Sequence, residues 1–283
     1  MSGTSLVPGV DYLIVGHVTA DRVGGRRHLG GTAAYAGLTA AVFGRRVGVV
    51  TSCAQDLDLT PLAGLAIHRI ASDQSTEFEN HDFPQGRRQR IFSVARRLGL
   101  NDVPPVWRSA PLVHLAPVAA EVEAGLVAAF PQSMVAVTAQ GWLRTWDAEG
   151  AVAPSAWEGH RDDLGQATLV IASLEDLAGE EHRVDSLAAH CQLLVLTEGD
   201  RGVRVYWNGD VRRFAAPPAA PVDPTGAGDI FAAAFICRYF ATRDPWESAR
   251  LAARLATASI GRAGLSGVPT PEEARSALIE VLA

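Results

Sequence analysis

Short runs rich in Val, Leu and Ile recur along the chain and constrain its fold more than any other feature. They include Tyr12–Val15, Val47–Val50, Leu112–Leu115, Met134–Val137, Leu169–Ile171 and Leu193–Leu196. Brief apolar runs of this kind fit strands buried on both faces, as in parallel sheets. Helix-like stretches lie between several of them, at Thr32–Phe43, Glu121–Phe130 and Glu175–His190. This alternation predicts an α/β fold with a mostly parallel central sheet and helices on both faces. Two regions break the pattern. Thr76–Phe83 and Arg88–Ala95 interleave polar residues and are joined through Pro84-Gln85-Gly86, which predicts a small antiparallel lid. Val203–Trp207 and Val211–Phe214 flank Asn208-Gly209, a hairpin signal because both turn residues tolerate positive φ.

The last third reads as helical. One helix is expected from about Gly226 to Tyr239. Two more open at Asp244-Pro245-Trp246-Glu247 and Thr270-Pro271-Glu272-Glu273, each with a capping residue, Pro at the first helical position and Glu at the third. With no internal repeat and no long linker, residues 1–283 read as a single domain, with lid strands around 17–30 and 75–96.

Composition excludes several chemistries. All 25 basic residues are Arg, so no Walker A lysine, protein-kinase lysine or Schiff-base lysine is available. Compositional bias is the simpler account of that gap. A net charge of −6 argues against nucleic-acid and anionic-membrane partners. Cys53, Cys191 and Cys237 are scattered, which fits reduced thiols. The first residues lack a basic region followed by a long apolar one, so no signal peptide is expected, and the location is expected to be cytoplasmic.

The chemistry is carried by Asp223-Pro224-Thr225-Gly226-Ala227-Gly228-Asp229, which opens an apolar helix. Gly226, Ala227 and Gly228 place consecutive N–H groups at a helix N-terminus, where they lack intrahelical partners and the dipole is positive. Such a site binds anions through backbone alone and stabilises charge on a transferring phosphoryl group. Asp229, kept ionised in the same first turn, is suited to accept a hydroxyl proton. A plain Gly-rich helix start is the bland alternative. It does not account for two Asp, a Thr and three small residues in that order.

The heptapeptide resembles the signature of the ribokinase-like (PfkB) carbohydrate kinases, and the resemblance extends along nearly the whole chain. Gly16-His17-Val18-Thr19-Ala20-Asp21 is similar to the family's segment after the first strand, whose Asp binds substrate hydroxyls. Gly30-Gly31-Thr32-Ala33-Ala34-Tyr35 resembles its di-Gly motif, and Thr197-Glu198-Gly199-Asp200-Arg201-Gly202 its nucleotide segment. Within the family, Val135–Arg144, Val203–Trp207 and the short gap between Asp21 and Gly30 look like the myo-inositol kinase branch.

The resemblance implies an ATP-dependent kinase acting on a hydroxyl of a sugar or cyclic polyol. Asp229 would be the base, with Gly226, Ala227 and Gly228 at the developing charge. Asp21, Gly30, Gly31, Thr32, Gln140 and Arg144 would bind the acceptor. Thr197, Gly199, Gly202 and Thr225 would bind the nucleotide. Mg2+ would bridge the phosphates near Glu175 or Asp176. The family's Asn-x-x-Glu motif is not intact, and either Ala172…Glu175 or Ser173…Asp176 fills its register. Pro224 stands where the family has Thr, which leaves a monovalent-cation site open. Thr32 and Tyr35 replace the Lys and Asn of ribokinase, which points away from ribose itself. A nucleoside kinase of the same fold and a non-catalytic sensor of sugars or nucleotides remain alternatives. The lid strands either close over the site or form a homodimer contact.

Overall fold

A computed structural model describes residues 9–83 and 86–282. The Pro84-Gln85 part of the predicted lid turn lies outside the described residues. The chain runs β1 (Tyr12–Val15), β2 (Thr19–Val23), β3 (Arg26–Gly30), α1 (Thr32–Val42), β4 (Val47–Cys53), β5 (Ala66–Ala71), β6 (Thr76–Phe83) and β7 (Gly86–Ser93). It continues through β8 (Leu112–Leu115), β9 (Met134–Thr138), β10 (Arg144–Trp146), β11 (Val152–Pro154), α2 (Arg161–Gln166), β12 (Leu169–Ser173), α3 (Glu181–Ala188) and β13 (Leu193–Thr197). Last come β14 (Val203–Trp207), β15 (Asp210–Phe214), α4 (Ala227–Thr242), α5 (Pro245–Ser259) and α6 (Pro271–Leu282).

The apolar runs form the centre of one sheet, ordered β15-β14-β13-β12-β9-β8-β1-β4-β5. Its strands pair in parallel except at the β13-β14-β15 edge. Successive side chains of a strand point to opposite faces, so one run feeds two cores. Tyr12 and Ile14 pack with α1, α4 and α5. Leu13 and Val15 face the other side, where Leu164 of α2 and Val184 and Leu187 of α3 pack. The mostly parallel sheet with helices on both faces is as the sequence predicts. Helix α4 is apolar nearly all round, from Ile230 to Cys237, because α1 and α5 cover it.

The local signals translate directly. Asn208 and Gly209 take φ of 51° and 81°, closing the hairpin that makes the antiparallel edge. Asp244 accepts from the amides of Trp246 and Glu247. Thr270 and Glu273 cap each other reciprocally, at 2.7 and 3.2 Å. The lid is a second sheet, β3-β2-β6-β7, made of two antiparallel hairpins joined through a parallel β2–β6 pair.

Two expected helices are different. Glu121–Phe130 contains only the 3-10 turn Val127–Ala129, since Ala120 and Gly125 take positive φ and Glu121 is drawn into a loop. Glu175–His190 splits at Ala178 and Gly179, both at positive φ, leaving α3 only from Glu181. Burial pushes the Cys191 and Cys237 thiols up to about 12, so neither is a nucleophile near neutral pH. Among the described residues no helix is long and apolar enough to cross a membrane.

Candidate active site

The predicted residues converge beyond the carboxyl ends of the parallel strands, where α/β sheets hold ligands. Helices α1 and α4 both begin there. Gly226 caps α4 in the left-handed region, at φ 79°, and a Cβ on it would sit 2.4 Å from the Tyr35 ring. Only glycine satisfies both conditions. Gly31 caps α1 at φ 85°, and its Cβ would meet the His17 carbonyl at 2.7 Å. The two helix starts are joined directly, because the Thr32 hydroxyl donates to Asp229 Oδ1 at 2.7 Å. Asp223 holds the loop from behind. Its carboxylate accepts from the amides of Thr225 and Gly264, both at 2.9 Å. The Ala227 amide is turned back toward the Pro224 carbonyl at 3.2 Å.

Asp21, on β2, is buried at 8% exposure and accepts from the Thr19 hydroxyl at 2.8 Å. Gly30 explains itself here, because a Cβ at that position would lie 2.2 Å from Asp21 Oδ2. It makes room for the carboxylate and does not line the cavity. A pocket of about 140 Å³ gathers Asp21, Gly31, Thr32, Gln140 and Arg144 with Thr225, Gly226, Gly228 and Asp229. Tyr35, Phe78, Asn80, Gln89, Val118 and Pro224 complete much of the wall. A wider groove of about 350 Å³ runs between Pro154–Glu158 and Glu180–Ser186. It contains none of the predicted residues and no small-residue loop.

Of the residues expected at the nucleotide, Thr225 lines this pocket, and Thr197, Gly199 and Gly202 are not among its lining. Thr197 ends β13, and its carbonyl accepts from the Leu174 amide, tying that turn to the loop after β12. In that loop Ser173 and Asp176 cap each other, with the Ser173 amide 2.9 Å from Asp176 Oδ2. Asp176 is buried and lies 3.8 Å from Arg144, whereas Glu175 is exposed. Gly199 takes φ 63° with open space around it. Gly202, at φ 97°, is required by the hairpin, since a Cβ would lie 2.0 Å from the Phe214 carbonyl. The buried Arg204 pairs with Glu181 and Glu198, at 2.7 and 2.8 Å, and the bond to Glu181 raises its pKa further.

Sequence reasoning misses one buttress entirely. Glu121 is fully buried, and its carboxylate accepts from the amides of His17, Val118 and Ala119. It binds the loop that leads to Asp21 to the loop that carries Val118. The His17 ring continues the tie, to Thr76 at the root of β6 and to the Arg96 carbonyl after β7. Nothing in a lone Glu after Ala119-Ala120 signals this role.

A sequence model of the pfkB family carbohydrate kinases matches residues 133–272, a span that contains the Asp223–Asp229 loop, Gln140, Arg144 and Thr197–Gly202. The match spans 140 of the 283 residues, just under half of the chain, and marks a likeness to this family. In fold the chain is ribokinase-like. The cytidine kinase of Thermococcus kodakarensis is 26% identical over 263 residues, covering 86% of this chain and 93% of that protein. The inositol 3-kinase of Zea mays is 36% identical over 140 residues, or 48% of this chain and 35% of the plant enzyme. In fold, the chain resembles a pyrophosphate-dependent kinase of the ribokinase family, complexed with a pyrophosphate analog and myo-inositol. The TM-score is 0.78, with 19% identity over 93% of this chain and 99% of that one.

Proposed function

We propose that this chain is a kinase of the pfkB type that transfers the γ-phosphoryl group of ATP to a hydroxyl of a small polyol, with a myo-inositol-like ring favoured. One observation carries the reading: Asp21, Asp229, Arg144 and the Gly226–Gly228 loop share one small, polar pocket. At about 140 Å³ it falls well below the ~300 Å³ at which pockets for drug-sized ligands begin. Asp21 orients the acceptor through its hydroxyls. Asp229, held by Thr32, takes the proton of the attacking hydroxyl, and the Gly226 and Gly228 amides stabilise charge on the transferring group. Positioning and electrostatics are most of what phosphoryl transfer requires. Arg144 supplies positive charge in the same pocket, in a chain with no Lys.

The phosphates of ATP would lie toward Thr225 and the Thr197–Gly202 turn. Among the described residues no group of three or more His, Cys, Asp or Glu could hold a metal by itself. That suits Mg2+ bound mainly by phosphate oxygens and water, with Glu175 or Asp176 completing its surroundings. When bound, Mg2+ would neutralise phosphate charge.

A nucleoside acceptor is the second reading, favoured by similarity to a cytidine kinase along most of the chain. The deciding experiment offers ATP or pyrophosphate as donor and myo-inositol, ribose, fructose or cytidine as acceptor, with product followed by phosphorus NMR. Phosphorylated myo-inositol from ATP is the expected result. Turnover of cytidine alone would replace the acceptor. Ligand binding without turnover of any acceptor would favour a sensor and overturn the reading.

A further inference from the structure

Arg204 is a charge set into an apolar face of the main sheet. On β14 it stands directly opposite Leu196 of β13, which packs with Leu194, Val184 and Leu187 in the core beneath α3. Its side chain is 5% exposed, yet its guanidinium serves three groups. Nη1 and Nη2 donate to the two carboxylate oxygens of Glu181, at 2.7 and 2.9 Å. Nη2 also meets the buried Glu198 at 2.8 Å, and Nη1 the Tyr206 hydroxyl at 3.1 Å. Burying an ion pair costs desolvation, and apolar residues of similar volume often do as well or better. Stability alone is a poor reason for this pair.

The guanidinium joins the two loops expected at the phosphate donor. One is the Thr197–Gly202 turn, which contains Glu198. It folds on itself, with the Glu198 amide donating to the Gly202 carbonyl at 2.8 Å and the Gly202 amide to the Gly199 carbonyl at 3.1 Å. The other follows β12 and carries Glu175 and Asp176. It breaks at Ala178 and Gly179, both at positive φ, before α3 opens at Glu181. Its near end is held at Leu174, whose amide donates to the Thr197 carbonyl at 2.9 Å. Its far end is held at Glu181, through Arg204, to Glu198. Both ends of the loop are thus fixed to one turn.

We infer that Arg204 is a positioning residue for the phosphate donor, clamping the Thr197–Gly202 turn and the Glu175–Asp176 loop into one unit while touching neither donor nor acceptor. The inference rests on the proposed placing of the donor at these loops, and it adds what holds them in register. The planar fork matters as much as the charge. A Lys in this place would supply a point charge without the bidentate geometry that fixes Glu181 and Glu198 together. Arg204, Glu198 and Glu181 are not among the residues lining the pocket proposed for the acceptor, so acceptor binding should be blind to the clamp.

The test compares wild type with Arg204→Lys and with the double variant Arg204→Met, Glu198→Leu, which removes both buried charges together. MgATP and magnesium pyrophosphate are the probes, with affinity read by calorimetry in the absence of turnover and thermal unfolding recorded for each protein. The double variant should bind the donor that wild type binds about tenfold more weakly, with Arg204→Lys in between. In steady-state assays on whichever acceptor is turned over, the loss should lie in donor KM, with acceptor KM unchanged. Wild-type donor affinity in a double variant with normal thermal unfolding would overturn the inference alone. So would an equal rise in acceptor KM, the mark of a general loosening. If the double variant unfolds early, Glu198→Gln keeps the shape of the side chain, removes its charge and carries the same test at about threefold. A wild-type protein that binds neither probe would instead overturn the proposed function, and this inference with it.

Discussion

The two ends of the site are built differently. At the proposed acceptor end every predicted glycine but one is pressed against a named group. Gly30 backs Asp21, Gly31 meets the His17 carbonyl and Gly226 lies under the Tyr35 ring, while only Gly228 opens onto free space. Side chains lock that end as well, through Thr32–Asp229, Thr19–Asp21 and the Glu121 buttress. At the donor end, Gly202 is explained by the packing of a hairpin, and Gly199 touches nothing. The comparison teaches that the acceptor end is preorganised before any ligand arrives, as catalysis by positioning requires. The proposed donor end is a set of turns in which the hairpin fixes Gly202 and only Gly199 leaves room for a side chain.

The sharpest way to break that contrast is Gly226→Ala. It forces a Cβ into the Tyr35 ring at a left-handed φ, so turnover should fall by about a hundredfold or more in steady-state assays. The matched change Gly199→Ala meets no neighbour and should cost about 1 kcal/mol of stability and little activity. Equal losses in the two variants would erase the distinction. Glu121→Ala comes next. It leaves three buried amides without their acceptor, and urea unfolding should show a loss of about 2–4 kcal/mol. Acceptor KM should rise, because the Asp21 and Val118 loops lose their common anchor. Thr32→Val removes one hydrogen bond to Asp229 and should lower kcat by about tenfold in steady-state assays.

The smallest effect concerns the sheet between the two ends. Tyr12, His114 and Thr138 form a buried hydrogen-bonded row, at 3.0 and 3.1 Å. Burial lowers the His114 pKa to about 3, against about 6.5 when unfolded. The unfolded chain therefore binds the proton more readily between those values, and stability is lost as pH falls from about 6.5 toward 3. The slope from this group is at most about 1.4 kcal/mol per pH unit. In His114→Gln that contribution should vanish from the pH dependence of urea midpoints.

Much of this was legible in the chain because it rests on local rules. The strand runs, the Asn208-Gly209 turn and the Asp244 and Thr270 caps each follow from neighbouring residues. The Asp223–Asp229 loop was legible as the start of a helix for the same reason. What could not be read depends on register and long-range contact. Asn80 and Gln89 reach the pocket only through the pairing of β6 with β7, where a shift between Glu77 and Phe78 decides which face looks inward. Gly30 looked like a ligand contact, yet its reason is the carboxylate of Asp21 across the β2–β3 pair. Glu121 looked like the start of a helix because its partners, His17 and Val118–Ala119, lie in two loops that periodicity cannot join.

The central claim is that Asp229, at the meeting of two helix starts, moves the proton during phosphoryl transfer. Asp229→Asn keeps the shape of the side chain and a carbonyl oxygen for Thr32, and removes the base. Turnover should drop by about a thousandfold or more, while calorimetry shows acceptor and ATP bound within about threefold of wild type. Turnover near the wild-type rate in that variant would contradict the account.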